Sequence, residues 1–295
     1  MILFFSSLIR KTTFFLLSNS STYYPGMLAV RIGRIFRKST FNEARSADFH
    51  IITMFNGIKI NVNRFSYMGG SIFWTGFHHI NEALFLRNFL KPDMNFVDIG
   101  ANQGEFSLIA SSVLTSGKVM AFEPVTYQRN LLKINKDLNK FSHLEIHPFG
   151  LSNIESNLPI YTSNDTSLHH GIHEGLSTLY STGNRNELQE VIDLKVFDEL
   201  FYSKIDRLDF VKIDIEGAEL YALQGMKNTL KKFSPLVLIE INEDTFKAAG
   251  YTTKDVIAFF DSLAYKFYKI EKGKLSQFPI IDFNQWGNYI AKHSV

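Results

Sequence analysis

From residue 96 onward the chain alternates between short apolar runs and longer stretches whose apolar positions have helical spacing. Strands are predicted at 96–99, 119–122 and 144–147, and helices at 105–115 and 127–139. The same alternation resumes later, with strands predicted at 191–194, 210–214, 236–241 and 265–270 and a helix at 218–233. Strands that alternate with helices are typical of an α/β protein. We therefore expect a doubly wound, mostly parallel sheet.

A β-hairpin and one further helix are predicted before this region. Alternating stretches at 51–55 and 58–62 flank Asn56 and Gly57, which supply the positive φ angles of a two-residue type I′ turn. The apolar positions within 79–90 recur with helical spacing, which predicts a helix there.

The first 42 residues are basic and rich in apolar side chains. They contain no acidic residue and six basic ones: Arg10, Lys11, Arg31, Arg34, Arg37 and Lys38. A membrane-spanning helix requires about 20 largely apolar residues, and the Arg10-Lys11 pair interrupts the run. A signal peptide carries its positive charge before the apolar core, whereas here the charge follows it. Two interpretations stay open: a helix on an anionic membrane surface through residues 1–40, or a helix packed on the domain or on a partner.

These patterns divide the chain into two parts. Residues 1–75 are predicted to form an extension, made of the basic apolar segment and the hairpin, and residues 76–295 form the main domain. Polar residues from about 153 to 190 break the alternation of strands and helices. They predict a hairpin and a long loop inserted into the main domain, and loops of this length are usually functional or disordered.

Composition excludes several kinds of site and partner. Apolar residues make up 45% of the 295 positions and charged residues 20%, as in globular proteins. The net charge of +2 is too small to indicate nucleic-acid binding. The chain has no cysteine, which excludes disulfides, thiolate metal sites and cysteine nucleophiles and fits a cytoplasmic protein.

The turn after the strand at 96–99 contains candidate cofactor residues. Asp98 lies near the end of the strand, and Gly100, Asn102 and Gly104 belong to a G-x-x-x-G turn. Glycines let the backbone approach a ligand, and an acid attracts the cationic groups of S-adenosylmethionine. A dinucleotide-binding turn reads G-x-G-x-x-G, and Asn102 stands where its second glycine belongs. The turn therefore favours S-adenosylmethionine; the alternatives are an NAD site and an ordinary turn after a strand-end acid.

The second predicted strand also ends in an acid. Glu123 follows Gly104 by 19 residues, the spacing at which a carboxylate accepts hydrogen bonds from both hydroxyls of a cofactor ribose. The same acid would repel the 2′-phosphate of NADP. Backbone groups near Leu151 and Ser152, after the third strand, are expected to meet the adenine edge. The alternative for Glu123 is a solvated acid before Pro124.

Three carboxylates gather where the strand predicted at 210–214 ends and the next predicted helix starts. They are Asp214, Glu216 and Glu219. Acids in the first turn of a helix are stabilised by the helix dipole, which is sufficient to explain Glu219. The helix dipole explains Asp214 less well, because we expect Asp214 beside Asp98, at the edge where the strand order of a doubly wound sheet reverses.

Together these segments resemble the FkbM family of methyltransferases. The resemblance covers about residues 80–270 and rests on the segments 98–104, 122–124, 151–153, 212–219 and 238–241. It implies the Rossmann-like fold of class I methyltransferases and S-adenosylmethionine as the methyl donor. It also implies O-methylation of a hydroxyl on a sugar, glycan or secondary metabolite, by an enzyme of bacterial origin.

Methyl transfer to an alcohol requires alignment of the nucleophile, the methyl group and the sulfur, and it benefits from a base that removes the hydroxyl proton. Asp214 is the first candidate for this base, and His147 is an alternative. Further alternatives for the base are three histidines of the inserted loop, His169, His170 and His173. Their spacing also resembles that of metal ligands, but we favour a loop that lines the pocket over a metal site. We expect no metal, but Asp214 and Glu240 could hold an ion like Mg²⁺.

The expected function is therefore O-methylation of a small-molecule or glycan acceptor without nucleic acid as a partner. The expected location is cytoplasmic, with peripheral contact at the inner membrane face through residues 1–40. Two alternatives are an NAD-dependent oxidoreductase and a membrane-associated binding module that keeps the fold without catalysis.

Overall fold

The computed structural model describes residues 2–17, 23–40, 47–163, 177–180, 185–284 and 286–294. The helices in these ranges are α1 (Ile2–Leu17), α2 (Tyr23–Thr40), α3 (Tyr67–Thr75), α4 (Ile80–Phe89), α5 (Glu105–Val113), α6 (Thr126–Asn139), α7 (Phe197–Phe201), α8 (Glu219–Gly225), α9 (Lys227–Phe233), α10 (Glu243–Ala248) and α11 (Thr253–Asp261). The strands are β1 (Phe49–Thr53), β2 (Lys59–Asn63), β3 (Phe96–Ile99), β4 (Val119–Phe122), β5 (Leu144–His147), β6 (Gly150–Leu151), β7 (Ser156–Ser163), β8 (Arg185–Lys195), β9 (Phe210–Ile213), β10 (Leu236–Asn242), β11 (Tyr265–Glu271), β12 (Lys274–Leu275) and β13 (Trp286–His293).

A mostly parallel sheet of eight strands forms the centre of the described chain. Its strand order is β12-β11-β13-β10-β9-β3-β4-β5, and the five strands from β10 to β5 run parallel. The strand β13 lies antiparallel between β10 and β11. The predicted doubly wound α/β fold is confirmed.

Neighbouring side chains of the parallel strands enter two separate cores. Phe96 packs into the core that contains residues of α4 and α5, and Val97 packs into the core that contains residues of α8 and α9. Because both faces of the sheet are covered, every residue of β3, β4 and β9 is buried, which explains why all their residues except Asp98 and Lys212 are apolar. The carboxyl ends of β3 and β9 meet at the edge where the strand order reverses, which is where such sheets bind ligands.

The chain leaves the main sheet before Gly150. The strand β5 ends at His147, as predicted, and β6 pairs with β8 in a separate sheet of order β6-β8-β7. Gly150 packs closely there, since a Cβ on it would lie 2.7 Å from Leu194 Cδ2. The antiparallel pair β7–β8 is the hairpin predicted for the insertion. His169, His170 and His173 lie outside the described residues.

The helix predicted over 218–233 is interrupted. The helix α8 ends at Gly225 and α9 begins at Lys227, and Met226 between them has a φ of −120°. A Cβ on Gly225 would clash with the carbonyl oxygen of Ser152, so the helix and the start of the insertion touch backbone to backbone.

The sequence pattern does not predict the strand β13, because the position of this strand in the sheet is set by its pairing with β10 and β11.

The predicted hairpin is present with a longer connection. Thr53 pairs with Lys59, which leaves five residues, 54–58, between the two strands instead of two. Asn56 and Gly57 have φ angles of 56° and 76°, the positive values for which this pair of residues is favoured.

The helices α1 and α2 pack beside each other and against α3. The Arg10 guanidinium group on α1 donates to the carbonyl oxygens of Thr53 and Phe73. Gly33 allows α2 to approach α3, since a Cβ there would lie 2.9 Å from Thr75 Cγ2. Among the described residues, no helix combines the length and the apolar character that crossing a membrane requires.

One buried amide joins the hairpin to the turn that follows β3. Asn135 on α6 is fully buried; its Oδ1 accepts from the N–H of Asn61 at 2.7 Å, and its Nδ2 donates to the carbonyl oxygen of Gln103 at 2.8 Å. A single side chain therefore satisfies two backbone groups from distant parts of the sequence and fixes the turn against β2.

We expect Asn135→Ala to lower the free energy of unfolding by about 2–4 kcal/mol, because it leaves two backbone groups without their partner. Lys133→Ala, on the exposed side of α6, is the matched control and should change it by less than about 0.5 kcal/mol. Urea unfolding followed by circular dichroism measures both values. Equal effects of the two substitutions would contradict the bridging role of Asn135.

Candidate functional site

A buried ammonium group joins the two central strands at their carboxyl ends. Lys212 on β9 is 5% exposed, and its Nζ donates to the carbonyl oxygen of Gly100 at 2.8 Å. The same Nζ lies 3.6 Å from Asp98 Oδ1 and 3.6 Å from Asp214 Oδ2. Burial lowers the pKa of Lys212, but the carboxylates around it, led by Asp214 and Asp98, outweigh burial and raise the pKa above its usual value. Lys212 therefore stays charged.

Asp98 lies beneath the turn and faces the protein interior. Its side chain is inaccessible to solvent, and its Oδ2 accepts from Ser107 Oγ at 2.6 Å. Burial raises the pKa of Asp98, while the charge of Lys212 acts in the opposite direction. The structure thus places Asp98 where it holds Lys212.

The turn from Gly100 to Gly104 lies too close to its surroundings for larger residues. Gly100 has a φ of 77°, and a Cβ there would clash with the carbonyl oxygen of Asp214. Gly104 has a φ of 101°, and a Cβ there would clash with Leu132. Asn102 also has a positive φ, 51°, which asparagine tolerates better than most residues. The turn therefore brings backbone to the carboxyl end of β3 without side chains in between.

Glu123 closes the same turn from the neighbouring strand. Its Oε2 accepts from the N–H of Asn102 at 2.7 Å, and its Oε1 accepts from the N–H of Val125 at 2.9 Å. An ionised carboxylate offers about four acceptor positions, so each oxygen can accept a further hydrogen bond. Burial raises the pKa of Glu123 to about 7.

A cleft opens beside the turn and contains about 670 Å³ of space, open solvent included. Gly100, Asn102, Glu123 and Asp214 supply its polar side. Its apolar wall comes from β6, from the segment after β4 and from the inserted hairpin: Val125, Leu151, Ile160, Leu179, Ile192 and Leu194. The insertion is therefore part of the cleft.

Three carboxylates meet at the open side of this region. Oxygen atoms of Asp214, Glu216 and Glu240 lie within 4.8 Å of one another. Glu240 Oε1 accepts from the indole Nε1 of Trp286 at 2.7 Å. Burial, followed by the neighbouring charges of Asp214 and Glu216, holds the pKa of Glu240 well above its usual value. This cluster offers acceptors to substrate hydroxyls, and the same oxygens are the type that binds hard cations.

Glu219 holds the loop on which this cluster depends. Its Oε1 accepts from the N–H of Ile215 and its Oε2 accepts from the N–H of Gly217, both at 2.9 Å. Tyr251 donates its hydroxyl hydrogen to the carbonyl oxygen of Gly217 at 2.9 Å. Burial raises the pKa of Glu219 to about 7. Glu219 is the first residue of α8, where the sequence places it, but its carboxylate binds the loop before the helix and not the N–H groups of the helix.

His147 and Ser152 lie apart from the cleft. The His147 ring stacks on Phe122 with 4.7 Å between ring centroids, and two strands separate β5 from β9. The backbone N–H of Ser152 donates to the carbonyl oxygen of Lys195 at 2.9 Å, whereas Leu151 lines the cleft. The structure therefore groups Asp214 with Glu240 and separates both from His147.

Two residues of the site receive no role in the sequence analysis. The role of Lys212 could have been inferred from the sequence, because a lysine inside a strand that is buried on both faces needs a charged partner. The role of Trp286 could not have been inferred in this way. Its contact with Glu240, 46 residues away in sequence, forms only when β13 pairs with β10.

Comparison with known proteins confirms the resemblance seen in the motifs. The family model described as "Methyltransferase FkbM domain" matches residues 98–267, more than half of the chain. The solved structure of an FkbM methyltransferase from Methylobacillus flagellatus KT is 18% identical, with a TM-score of 0.43, and the match covers 69% of this chain and 44% of that chain.

Two curated relatives are also methyltransferases. Methyltransferase 1 of Beauveria bassiana (strain ARSEF 2860) is 24% identical over 170 residues, 51% of this chain and 66% of the relative. Methyltransferase sdnD of Sordaria araneosa is 31% identical over 153 residues, 44% of this chain and 59% of the relative. The chain therefore spans less than two thirds of the length of either relative. These relatives are fungal, so the bacterial origin stays a prediction.

Glu123→Gln tests the environment of the buried acid. The unfolded chain ionises Glu123 near its ordinary pKa of 4.5 and the folded chain near 7, so the folded state loses stability as the pH rises between these values. We expect the stability of the wild type relative to Glu123→Gln to fall by about 3 kcal/mol from about pH 4 to about pH 8. Urea unfolding across this range measures the difference, and a difference independent of pH would contradict the buried, protonated carboxyl group.

Proposed function

Because the chain belongs to the FkbM methyltransferase family, we propose that it transfers a methyl group from S-adenosylmethionine to a hydroxyl oxygen of a sugar, glycan or secondary metabolite. The observation that carries this proposal is the meeting of Asp214, Glu216 and Glu240 within 4.8 Å beside a cleft with a glycine turn and a buried acid. Such an arrangement offers one place for the donor and an adjoining place for an acceptor that bears hydroxyl groups.

The residues of the cleft fit the donor. Glu123 keeps acceptor positions for the ribose hydroxyls, and the close approach at Gly100 leaves backbone rather than side chain facing the cleft. Leu151, Ile160 and Ile192 form an apolar wall suited to an adenine ring. The donor would supply an electrophilic methyl group on a cationic sulfur that leaves readily.

Asp214 is the residue that we assign as the general base. Its side chain is 27% exposed, more than the other carboxylates at the ends of the two central strands, and it lines the cleft. Lys212 lies 3.6 Å from Asp214 Oδ2 and helps to fix the orientation of the carboxylate. In this role Asp214 accepts the hydroxyl proton of the acceptor as its oxygen attacks the methyl group.

Glu240 and Trp286 support a hydroxyl-rich acceptor. The indole of Trp286 is 57% exposed while its Nε1 is held by Glu240, so one face of an aromatic ring stands beside the carboxylate cluster. Aromatic faces offer a flat apolar surface, and neighbouring carboxyl groups bind hydroxyls. A sugar ring presents both chemistries at once.

We expect Asp214→Asn to lower kcat by about 10²- to 10⁴-fold, because an amide cannot accept the proton. The assay follows the transfer of labelled methyl from S-adenosylmethionine to a panel of sugars, glycans and hydroxylated small molecules, with the methylated atom located by mass spectrometry. Asp261→Asn, at an exposed site, is the matched control and should retain full activity.

Three outcomes would contradict the proposal. Methylation of nitrogen or carbon would exclude O-methylation, and turnover with NAD instead of S-adenosylmethionine would favour the oxidoreductase alternative. Donor binding without turnover on any acceptor in the panel would favour a binding module that keeps the fold.

Removal of divalent cations distinguishes a base from a metal ligand at Asp214. We expect methyl transfer to continue in EDTA, because Asp214 acts directly on the hydroxyl. Loss of activity in EDTA that added Mg²⁺ restores would instead assign Asp214 and Glu240 as ligands of a cation that binds the acceptor oxygen.

A further inference from the structure

The outward side of the first two helices exposes large apolar side chains. Six of them, each more than half exposed, form the surface that we call the outer face: Phe4, Leu8 and Phe15 on α1 and Tyr24, Leu28 and Ile35 on α2. On each helix their spacings of four, seven or eleven residues place them on one side. Single exposed apolar residues are ordinary, but a contiguous group of this kind marks an interaction surface.

The opposite side of the same helices is anchored in the protein. Ile9, Leu17 and Val30 are buried in the core. A Cβ on Gly26 would lie 2.6 Å from Leu17 Cδ2, so the two helices are tightly packed against each other. The outer face therefore has a fixed orientation, and its side chains cannot turn into the core that the inner side already fills.

Positive charge borders the apolar side chains. Arg31, Arg34 and Lys38 are exposed on α2 and follow one another at three- and four-residue intervals, beside the row formed by Leu28 and Ile35. Lys11 is exposed on α1 between Leu8 and Phe15. The first 42 residues contain no acidic residue that could neutralise these cations. Apolar side chains flanked by lysine and arginine are the pattern of helices that lie in the interface of an anionic membrane.

We propose that the outer face binds the surface of a membrane that contains anionic lipid, with α1 and α2 lying in the plane of the interface. The apolar side chains would enter the boundary between headgroups and acyl chains, and the cations would contact the headgroups. A symmetric pairing of two copies is less suited to this face, because it would bring two rows of cations together. The inference does not depend on methyl transfer.

The test is co-sedimentation of the full chain with phosphatidylcholine vesicles, with and without phosphatidylserine. We expect binding to the vesicles that contain phosphatidylserine and release at high salt. The double variant Arg31→Gln/Arg34→Gln should bind these vesicles about 25-fold more weakly than the wild type, because each lost cation lowers the partition coefficient about fivefold. The double variant Leu28→Asp/Ile35→Asp should lose binding, at about tenfold or more for each apolar side chain.

Matched controls keep the result specific to this face. Phe278→Asp/Ile281→Asp removes two apolar side chains that are 70% and 90% exposed elsewhere, and Lys227→Gln/Lys254→Gln removes two exposed cations elsewhere. Both controls should bind vesicles like the wild type. All the substituted side chains are exposed, and circular dichroism and the binding of S-adenosylhomocysteine check that each variant is folded.

Three results would overturn the proposal. The first is a wild-type chain that stays in the supernatant with every vesicle. The second is equal binding with and without phosphatidylserine, which would exclude the role of the cations. The third is a dimer in sedimentation velocity that Leu28→Asp/Ile35→Asp dissociates while vesicles bind nothing, which would assign the face to a second copy of the chain.

Discussion

The ammonium group of Lys212 is the interaction on which the candidate site depends. A buried charge is costly unless it is paired, and Lys212 is paired with Asp98 from β3, Asp214 after β9 and the carbonyl oxygen of Gly100. Gly100 and Asp214 lie on the two loops that contribute to the polar side of the cleft. The glycine turn can approach because Gly100 has no side chain, and the lysine then ties the turn to β9.

A second set of contacts holds the loops around Lys212 and its partners in place. Glu219 and Tyr251 bind the backbone of the loop that carries Glu216, and Asn135 binds the turn from the other side. Two of the buried carboxylates here, Glu123 and Glu219, accept hydrogen bonds from backbone N–H groups, which is one way in which a folded chain tolerates several acids in one region. Among the described carboxylates that line the cleft, Asp214 alone is more than slightly exposed, and a base that acts on a substrate requires this combination.

The sequence predicts most of the main sheet, because strands buried on both faces read as short apolar runs with acids and glycines at their carboxyl ends. Asp98, Glu123 and Asp214 can be identified as candidate site residues from the sequence for this reason. The contact of Trp286 with Glu240 and the departure of β6 from the main sheet are not visible, because both depend on pairing between strands far apart in sequence. The sequence also suggests that Asp98 meets the cofactor, whereas the structure places it beneath the turn, facing Lys212.

Binding of S-adenosylhomocysteine, measured by isothermal titration calorimetry, tests the central claim that the cleft is a cofactor site closed by Glu123. We expect the wild type to bind it, Glu123→Ala to bind it about tenfold or more weakly through lost hydrogen bonds, and Ser152→Ala, whose side chain lies outside the cleft, to bind it like the wild type. NAD should not bind. Binding of NAD without S-adenosylhomocysteine, or equal affinity in Glu123→Ala and the wild type, would show that the cleft is not such a site.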